Sequence, residues 1–195
     1  MVNGWPVGKR VRLRPPTVED QPLLDAWSAN RSRYTDFGTR GRTIAEKLAA
    51  GPLIGEHGGD LLVIRLSDDT PIGEFDWRPI HYGPRSDTRN RAWAVGREFT
   101  PEARGHGYGT ETMRLMVDWL FHNTDANRIE GATDLTNIAS QRSVERIGFR
   151  REGVLRGALY RQGDYHDLAR YAILRADWQA GRPADRGLAG ESSRS

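Results

Sequence analysis

Cysteine is absent from this 195-residue chain, which excludes disulfides, thiolate nucleophiles and zinc sites built on cysteine. The fold must stand on packing alone. Nowhere do 18 apolar residues run together, and no N-terminal segment combines a charged start, an apolar stretch and a small-residue cleavage site. These absences lead us to expect a soluble, cytoplasmic protein with no membrane partner. Runs of like charge are missing too. The 29 Lys and Arg, with Arg in large excess, are scattered among 26 Asp and Glu for a net charge of +3. A nucleic-acid partner is therefore not expected, whereas a mildly positive surface suits a polyphosphate ligand. His57, His81, His106, His122 and His166 show no metal-ligand spacing, so no metal is expected.

What is present suffices for one domain. An apolar content of 37% supports a single core, which we place over residues 1–179, and the Gly-, Pro-, Ser- and Arg-rich residues 180–195 read as a disordered tail. Val11 and Leu13 alternate with arginines as in a strand that Pro15-Pro16 ends. Thr17 and Asp20 have capping-box spacing before a helix carrying Leu23, Leu24 and Trp27. Residues 30–59 read as a mobile, ligand-facing stretch with a short helix around Ile44 to Leu48. Leu61–Leu66 and Ile72–Ile80 form a predicted antiparallel hairpin across Ser67 to Pro71, followed by a loop and a strand at Ala92–Val95. Met113, Met116, Val117, Leu120 and Phe121 recur with the period of a helix buried on one face. Arg128–Thr133 is a strand candidate, Ser140–Ile147 a short helix stopped at Gly148, and Val154–Tyr160 and Leu168–Leu174 are strands joined by Arg161-Gln162-Gly163-Asp164.

Between the Ala92 strand and the long helix lies Arg104-Gly105-His106-Gly107-Tyr108-Gly109-Thr110. Alternate glycines let a backbone approach a ligand closely, and the helix start adds unpaired N–H donors and a positive dipole end. Together they describe a pyrophosphate cradle. The spacing is neither the dinucleotide fingerprint G-x-G-x-x-G nor a Walker A loop, which needs Gly-Lys-Ser/Thr. By itself the run could equally be a plain strand-to-helix turn.

Arg104 to Gly109 matches the R/Q-x-x-G-x-G/A signature of GNAT acetyltransferases, with Pro101-Glu102-Ala103 resembling the family's approach to the loop. Asn137-Ile138-Ala139-Ser140, Gly148-Phe149, Glu152-Gly153, Arg156 and Gly163 to Asp167 resemble the branch containing ribosomal-protein N-acetyltransferases. The likeness extends from about Val11 to Trp178 and is densest after Arg91. It implies an α/β (α+β) fold with a central, mostly antiparallel mixed sheet, helices on both faces, and fourth and fifth strands that splay around the pantetheine arm. It also implies acetyl-CoA as co-substrate. Arg104, Gly105, His106, Gly107, Tyr108, Gly109 and Thr110 would hold the pyrophosphate and Asn137 the pantetheine, with Phe99 and Arg142 assigned to the same site. Dimers occur in the branch, so a homodimer is a further expectation.

The chemistry requires a neutral amine, stabilisation of charge on the thioester oxygen, and a proton for the departing thiolate. The resemblance implies direct attack in a ternary complex. Ser140 stands where the family's hydroxyl reaches the CoA sulfur, although Ser is also a preferred helix cap; Tyr160 is the alternative donor. Some members of the branch have an acidic residue just before that Tyr, and this chain has Leu159. Glu74 and Asp76, on one side of a predicted strand, are the candidates for handling the amine's proton and charge. Trp77 and Tyr34 are further candidates for the acceptor site. The reading carried forward is acetylation of a small-molecule primary amine. Acetylation of a peptide N-terminus and a non-catalytic acyl-CoA sensor stand as alternatives.

Overall fold

A computed structural model describes residues 4–29 and 43–181; Tyr34 and the expected tail beyond residue 181 lie outside the described residues. The strands are β1 (Val11–Arg14), β2 (Ile54–Gly55), β3 (Gly58–Arg65), β4 (Thr70–His81), β5 (Arg91–Phe99), β6 (Arg128–Asp134), β7 (Arg150–Arg161) and β8 (Asp164–Leu174). The helices are α1 (Gln21–Ala29), α2 (Ile44–Ala50), α3 (Tyr108–Asn123), α4 (Ile138–Glu145) and α5 (Arg175–Ala180). The sheet runs β1-β3-β4-β5-β6-β8-β7, with β2 beside β3, and only β5–β6 is parallel.

The alternating strands build two cores. On one face Phe75, Trp77, Trp93 and Val95 meet Met113, Met116, Val117, Leu120 and Phe121 of α3, and each such fully buried side chain contributes ~1.5–3 kcal/mol. On the other face Leu62 and Ile64 meet Leu24 of α1 and Ile44 of α2. β3 is therefore apolar on both sides, which explains its unbroken Leu61-Leu62-Val63-Ile64 run. Arg175 fixes the end of α3 by donating to the carbonyls of Phe121, Thr124 and Ala126 at 2.7–3.1 Å, partners the last helical turn otherwise lacks.

Several elements differ in detail from the sequence reading. β5 continues to Phe99, because its backbone pairs with β4 as far as Gly73↔Phe99 despite the non-alternating Gly96-Arg97-Glu98. β7 is an edge strand exposed over nearly its whole length, with register shifts at Arg151/Gly153 and Leu155/Leu159. Tyr160 thus belongs to an exposed edge and not to a core strand. His166 Nδ1 lies 3.2 Å from Asp134 Oδ2, while Asp167 accepts from Gly157 N. Adjacent strand residues point to opposite faces, so the two side chains take separate partners.

The predicted Thr17–Asp20 box is present, with Thr17 N donating to Asp20 Oδ2 at 2.7 Å, and Arg14 grips both carboxylate oxygens at 2.7 Å. The Arg14 bonds hold this carboxyl at about 2, against an ordinary 3.8. A carboxyl depressed in the folded state stabilises fully above its unfolded value and loses that contribution as pH falls through its folded one. Asp20→Asn should cost ~1–2 kcal/mol at pH 6, and the difference from wild type should shrink below pH 4. Urea melts at pH 6 and pH 2.5 check this; an undiminished difference at pH 2.5 would contradict the assignment.

Candidate active site

The parallel pair β5–β6 is joined only at Trp93↔Ile129 and Ala94↔Glu130. Beyond these residues the strands part, and a cavity of about 1290 Å³ occupies the gap, reaching from β4 across β5 to α3, α4 and β8. These are the fourth and fifth strands of the expected splay, counted without the two-residue β2. On its other edge β6 stays paired with β8 over its whole length, Arg128↔Leu174 through Asp134↔Leu168.

The Gly-rich loop forms one wall. Gly105 and Gly107 both have φ +78°, a left-handed conformation that glycine adopts without the Cβ cost. Gly107 is the N-cap of α3, and the first bond of the helix runs from Glu111 N to Gly107 O at 3.2 Å. The N–H groups of Tyr108, Gly109 and Thr110 precede that bond and belong to the turn that a helix leaves open for an anion. The loop is braced from behind. Arg10 Nη1 donates to His106 O at 2.7 Å, and the Glu111 carboxylate accepts from the backbone of Lys9 and Arg10 and from Arg10 Nε. Burial pushes the Glu111 carboxyl up, but the bonds from Arg10 and Lys9 outweigh it and leave the group below its usual value. Arg104 Nε and Nη2 donate to Phe99 O, fixing the loop to the end of β5. His106 does not line the cavity; Phe99, Arg104, Gly105, Gly107, Tyr108, Gly109 and Thr110 do.

α4 forms the facing wall. Its N-cap is Asn137, whose Oδ1 accepts from Ser140 N at 3.1 Å. The helix therefore starts at Ile138, and the capping role weighed for Ser140 is taken by Asn137, an equally preferred cap residue. Ser140 lines the cavity, and among the described residues its hydroxyl has no hydrogen-bond partner. Asn137 and Arg142 line the cavity as well.

On the other side of β5, Glu74 and Asp76 reach the cavity as their alternation predicted. Glu98 stands directly across the β4–β5 ladder from Glu74, and Asp60 across from Asp76. Trp77 is 3% exposed and packs edge-on against Trp119 beneath α3, so the structure places it in the core and not at an acceptor site. It has the opposite parity to Glu74 and Asp76 and cannot share their face. Tyr160, 63% exposed, meets Tyr165 edge-on and is absent from the cavity wall.

The sequence reading missed three contributors. Arg97 and Glu98 lie in the part of β5 beyond the expected Ala92–Val95 strand. Glu130 is buried at the cavity wall, where Tyr82, Arg128 and Arg170 engage its oxygens at 2.6–2.7 Å; its place in Arg128-Ile129-Glu130, on the side opposite a core Ile, was the available signal.

The cavity thus brings together backbone donors and glycines at the start of α3, the Ser140 hydroxyl on α4 and carboxylates on the β4–β5 ladder. These are features that fit a long ligand carrying a diphosphate, together with a cationic second substrate. Among the described residues no helix is long and apolar enough to cross a membrane, and no group of His, Asp and Glu could hold a metal ion.

Comparison with known proteins agrees with this geometry. A family model described as "Acetyltransferase (GNAT) domain" matches residues 10–150. Among relatives of Bacillus subtilis, YjcK, provisionally named an N-acetyltransferase, is 38% identical over 183 residues, covering 87% of this chain and 97% of that protein. YdaF, provisionally named a ribosomal N-acetyltransferase, is 33% identical over 93 residues, and that match spans only 48% of this chain and 51% of the relative. The fold matches spermidine N-acetyltransferase from Vibrio cholerae, solved with CoA and spermine, at TM-score 0.72 and 20% identity over 88% of this chain and 99% of that one. It matches ribosomal-protein-S5-alanine acetyltransferase from Vibrio fischeri at TM-score 0.70 and 18% identity over 88% and 97%. The chain belongs to the GNAT acetyltransferases, enzymes that move the acetyl group of acetyl-CoA to an amine.

Proposed function

We propose that the acceptor is a primary amine of a small cationic molecule, which attacks the thioester directly in a ternary complex. The observation that carries this reading is the juxtaposition, in one cavity, of the Gly-rich helix start and Ser140 with the carboxylates of Glu74, Asp76 and Glu98. These carboxylates, with Arg78 Nη1 3.7 Å from Asp76 Oδ2, give this part of the cavity an acidic lining that attracts a cation. The likeness to a spermidine acetyltransferase agrees with a cationic acceptor; the ribosomal relatives favour a peptide N-terminus instead.

In this reading the backbone N–H groups at the start of α3 hold the diphosphate, and Phe99, Asn137 and Arg142 line the remainder of the cofactor path. Bound acetyl-CoA supplies the activated acyl group. Ser140 Oγ delivers a proton to the departing sulfur, and Glu74 with Asp76 receives the ammonium form of the acceptor and relays its proton outward through water. Direct transfer predicts intersecting initial-rate lines and no acetylated protein.

Release of CoA measured against polyamines, amino sugars, amino-acid derivatives and N-terminal peptides tests the acceptor class. Turnover confined to small cationic amines is expected. Preference for peptides would overturn the small-molecule assignment, and binding of acetyl-CoA without turnover of any amine would favour a sensor. With a small amine as acceptor, Glu74→Gln, which loses a hydrogen bond to a charged group, should raise its KM about 10- to 50-fold, and Asp76→Asn is the paired comparison. Unchanged KM in both variants would remove the carboxylates from the acceptor site.

A further inference from the structure

Arg97 reaches from β5 into the space under the first turn of α3. Its Nη2 donates to Ser143 Oγ at 3.0 Å, and Ser143 Oγ shares a 2.7 Å hydrogen bond with Thr110 Oγ1. A Cβ on Gly109 would stand 3.3 Å from Arg97 Nε, so the glycine is what lets the guanidinium lie against the helix start. Among the described residues no carboxylate pairs with Arg97, and its Nη1 is shielded from solvent without a hydrogen-bond partner. It lines the same cavity as Gly107, Gly109 and Thr110.

An enclosed guanidinium with no counter-ion is costly. Its position adds to the cost, because the N-terminal end of α3 carries partial positive charge of its own. Burial lowers the pKa of Arg97 to about 10, yet the group stays charged at neutral pH. Ser143 Oγ of α4, itself hydrogen-bonded to Thr110 Oγ1 of α3, solvates the cation without neutralising it. An anionic ligand seated at the helix start would relieve both unfavourable terms at once and give Nη1 its missing partner.

We propose that Arg97 is a cofactor-binding residue that supplies the positive charge drawing the diphosphate of acetyl-CoA into the cleft between β5 and α4. The assignment rests on the acyl-CoA reading above and adds to it a charged side chain beside the backbone donors of the Gly-rich loop. The competing role is a neutral one, in which Arg97 merely ties β5 to α4 through Ser143 and keeps the cleft in shape.

Two variants separate these roles. Arg97→Met removes charge and hydrogen bonds together, while Arg97→Gln removes the charge and keeps an amide able to reach Ser143. Calorimetric titration with CoA, at low and high salt, should show an affinity loss of about 10- to 100-fold in both variants and a weaker salt dependence than wild type. With S-acetylpantetheine, a donor without the diphosphate, kcat/KM should stay within about 2-fold of wild type. Arg97→Gln that binds CoA as wild type does would overturn the proposal, as would an equal loss with both donors, since either result assigns Arg97 to cleft shape. Should Arg97→Met fail to fold, Arg97→Gln decides alone. A wild-type protein that binds CoA no better than pantetheine would instead remove the acyl-CoA reading, and this assignment with it.

Discussion

Gly107→Val should reduce CoA affinity by at least about 100-fold, the loss of two or more charge-assisted backbone bonds. At the N-cap of α3 this residue has φ +78°, where a β-branched side chain is a conformational outlier. The added Cβ would stand 3.0 Å from Arg10 Nη2, at the far end of a flexible side chain that can move aside. Crowding of the protein by itself is therefore affordable; the expected damage comes from backbone strain and from bulk at the surface that must meet phosphate. Strain should appear as ~1–3 kcal/mol of lost stability. Gly105→Ala is the control, because Gly105 shares φ +78° but has nothing within 4 Å of its added Cβ. It should lose stability with a smaller loss of affinity. Calorimetry on folded Gly107→Val that returns wild-type CoA affinity would show that the loop is only a connection between strand and helix.

Ser140→Ala should lower kcat about 10- to 1000-fold while CoA affinity changes little, since a proton on the leaving sulfur matters mainly in the transition state. The structure sharpens this expectation. Because Asn137 Oδ1, and not the Ser140 hydroxyl, caps α4, Ser140→Ala should leave the melting temperature unchanged, whereas Asn137→Ala should cost ~1 kcal/mol. Tyr160→Phe should be silent, given that Tyr160 is 63% exposed and absent from the cavity wall. Full activity in Ser140→Ala would make the serine a spectator; reduced activity in Tyr160→Phe would mean that the Tyr160 side chain turns into the site.

The parts of the site legible in the sequence were those with a local cause. Gly105, Gly107 and Gly109 announce a close-approach backbone wherever they stand, and the 3.6-residue period from Met113 to Phe121 fixes which face of α3 is buried. Period-2 parity put Glu74 and Asp76 on one side of their strand, where both line the cavity, and the same parity put Trp77 on the opposite, core side. What could not be read depends on neighbours distant in sequence. Arg97 looks like the end of a strand until β4 is known to pair through Phe99. Tyr160 reads as a core strand residue until the sheet order makes β7 an edge and the irregularity between Leu155 and Leu159 resets its register. Asn137 and Ser140 are equally good caps by composition, and only the backbone distinguishes them.

The most direct test of this site is the crystal structure of the protein with CoA. The expected result is a diphosphate within about 3.2 Å of backbone N–H groups in residues 105–110, and the CoA sulfur within about 3.5–4 Å of Ser140 Oγ in the gap between β5 and β6. CoA bound elsewhere, or bound in the gap with its sulfur far from Ser140 and its diphosphate off the helix start, would contradict it.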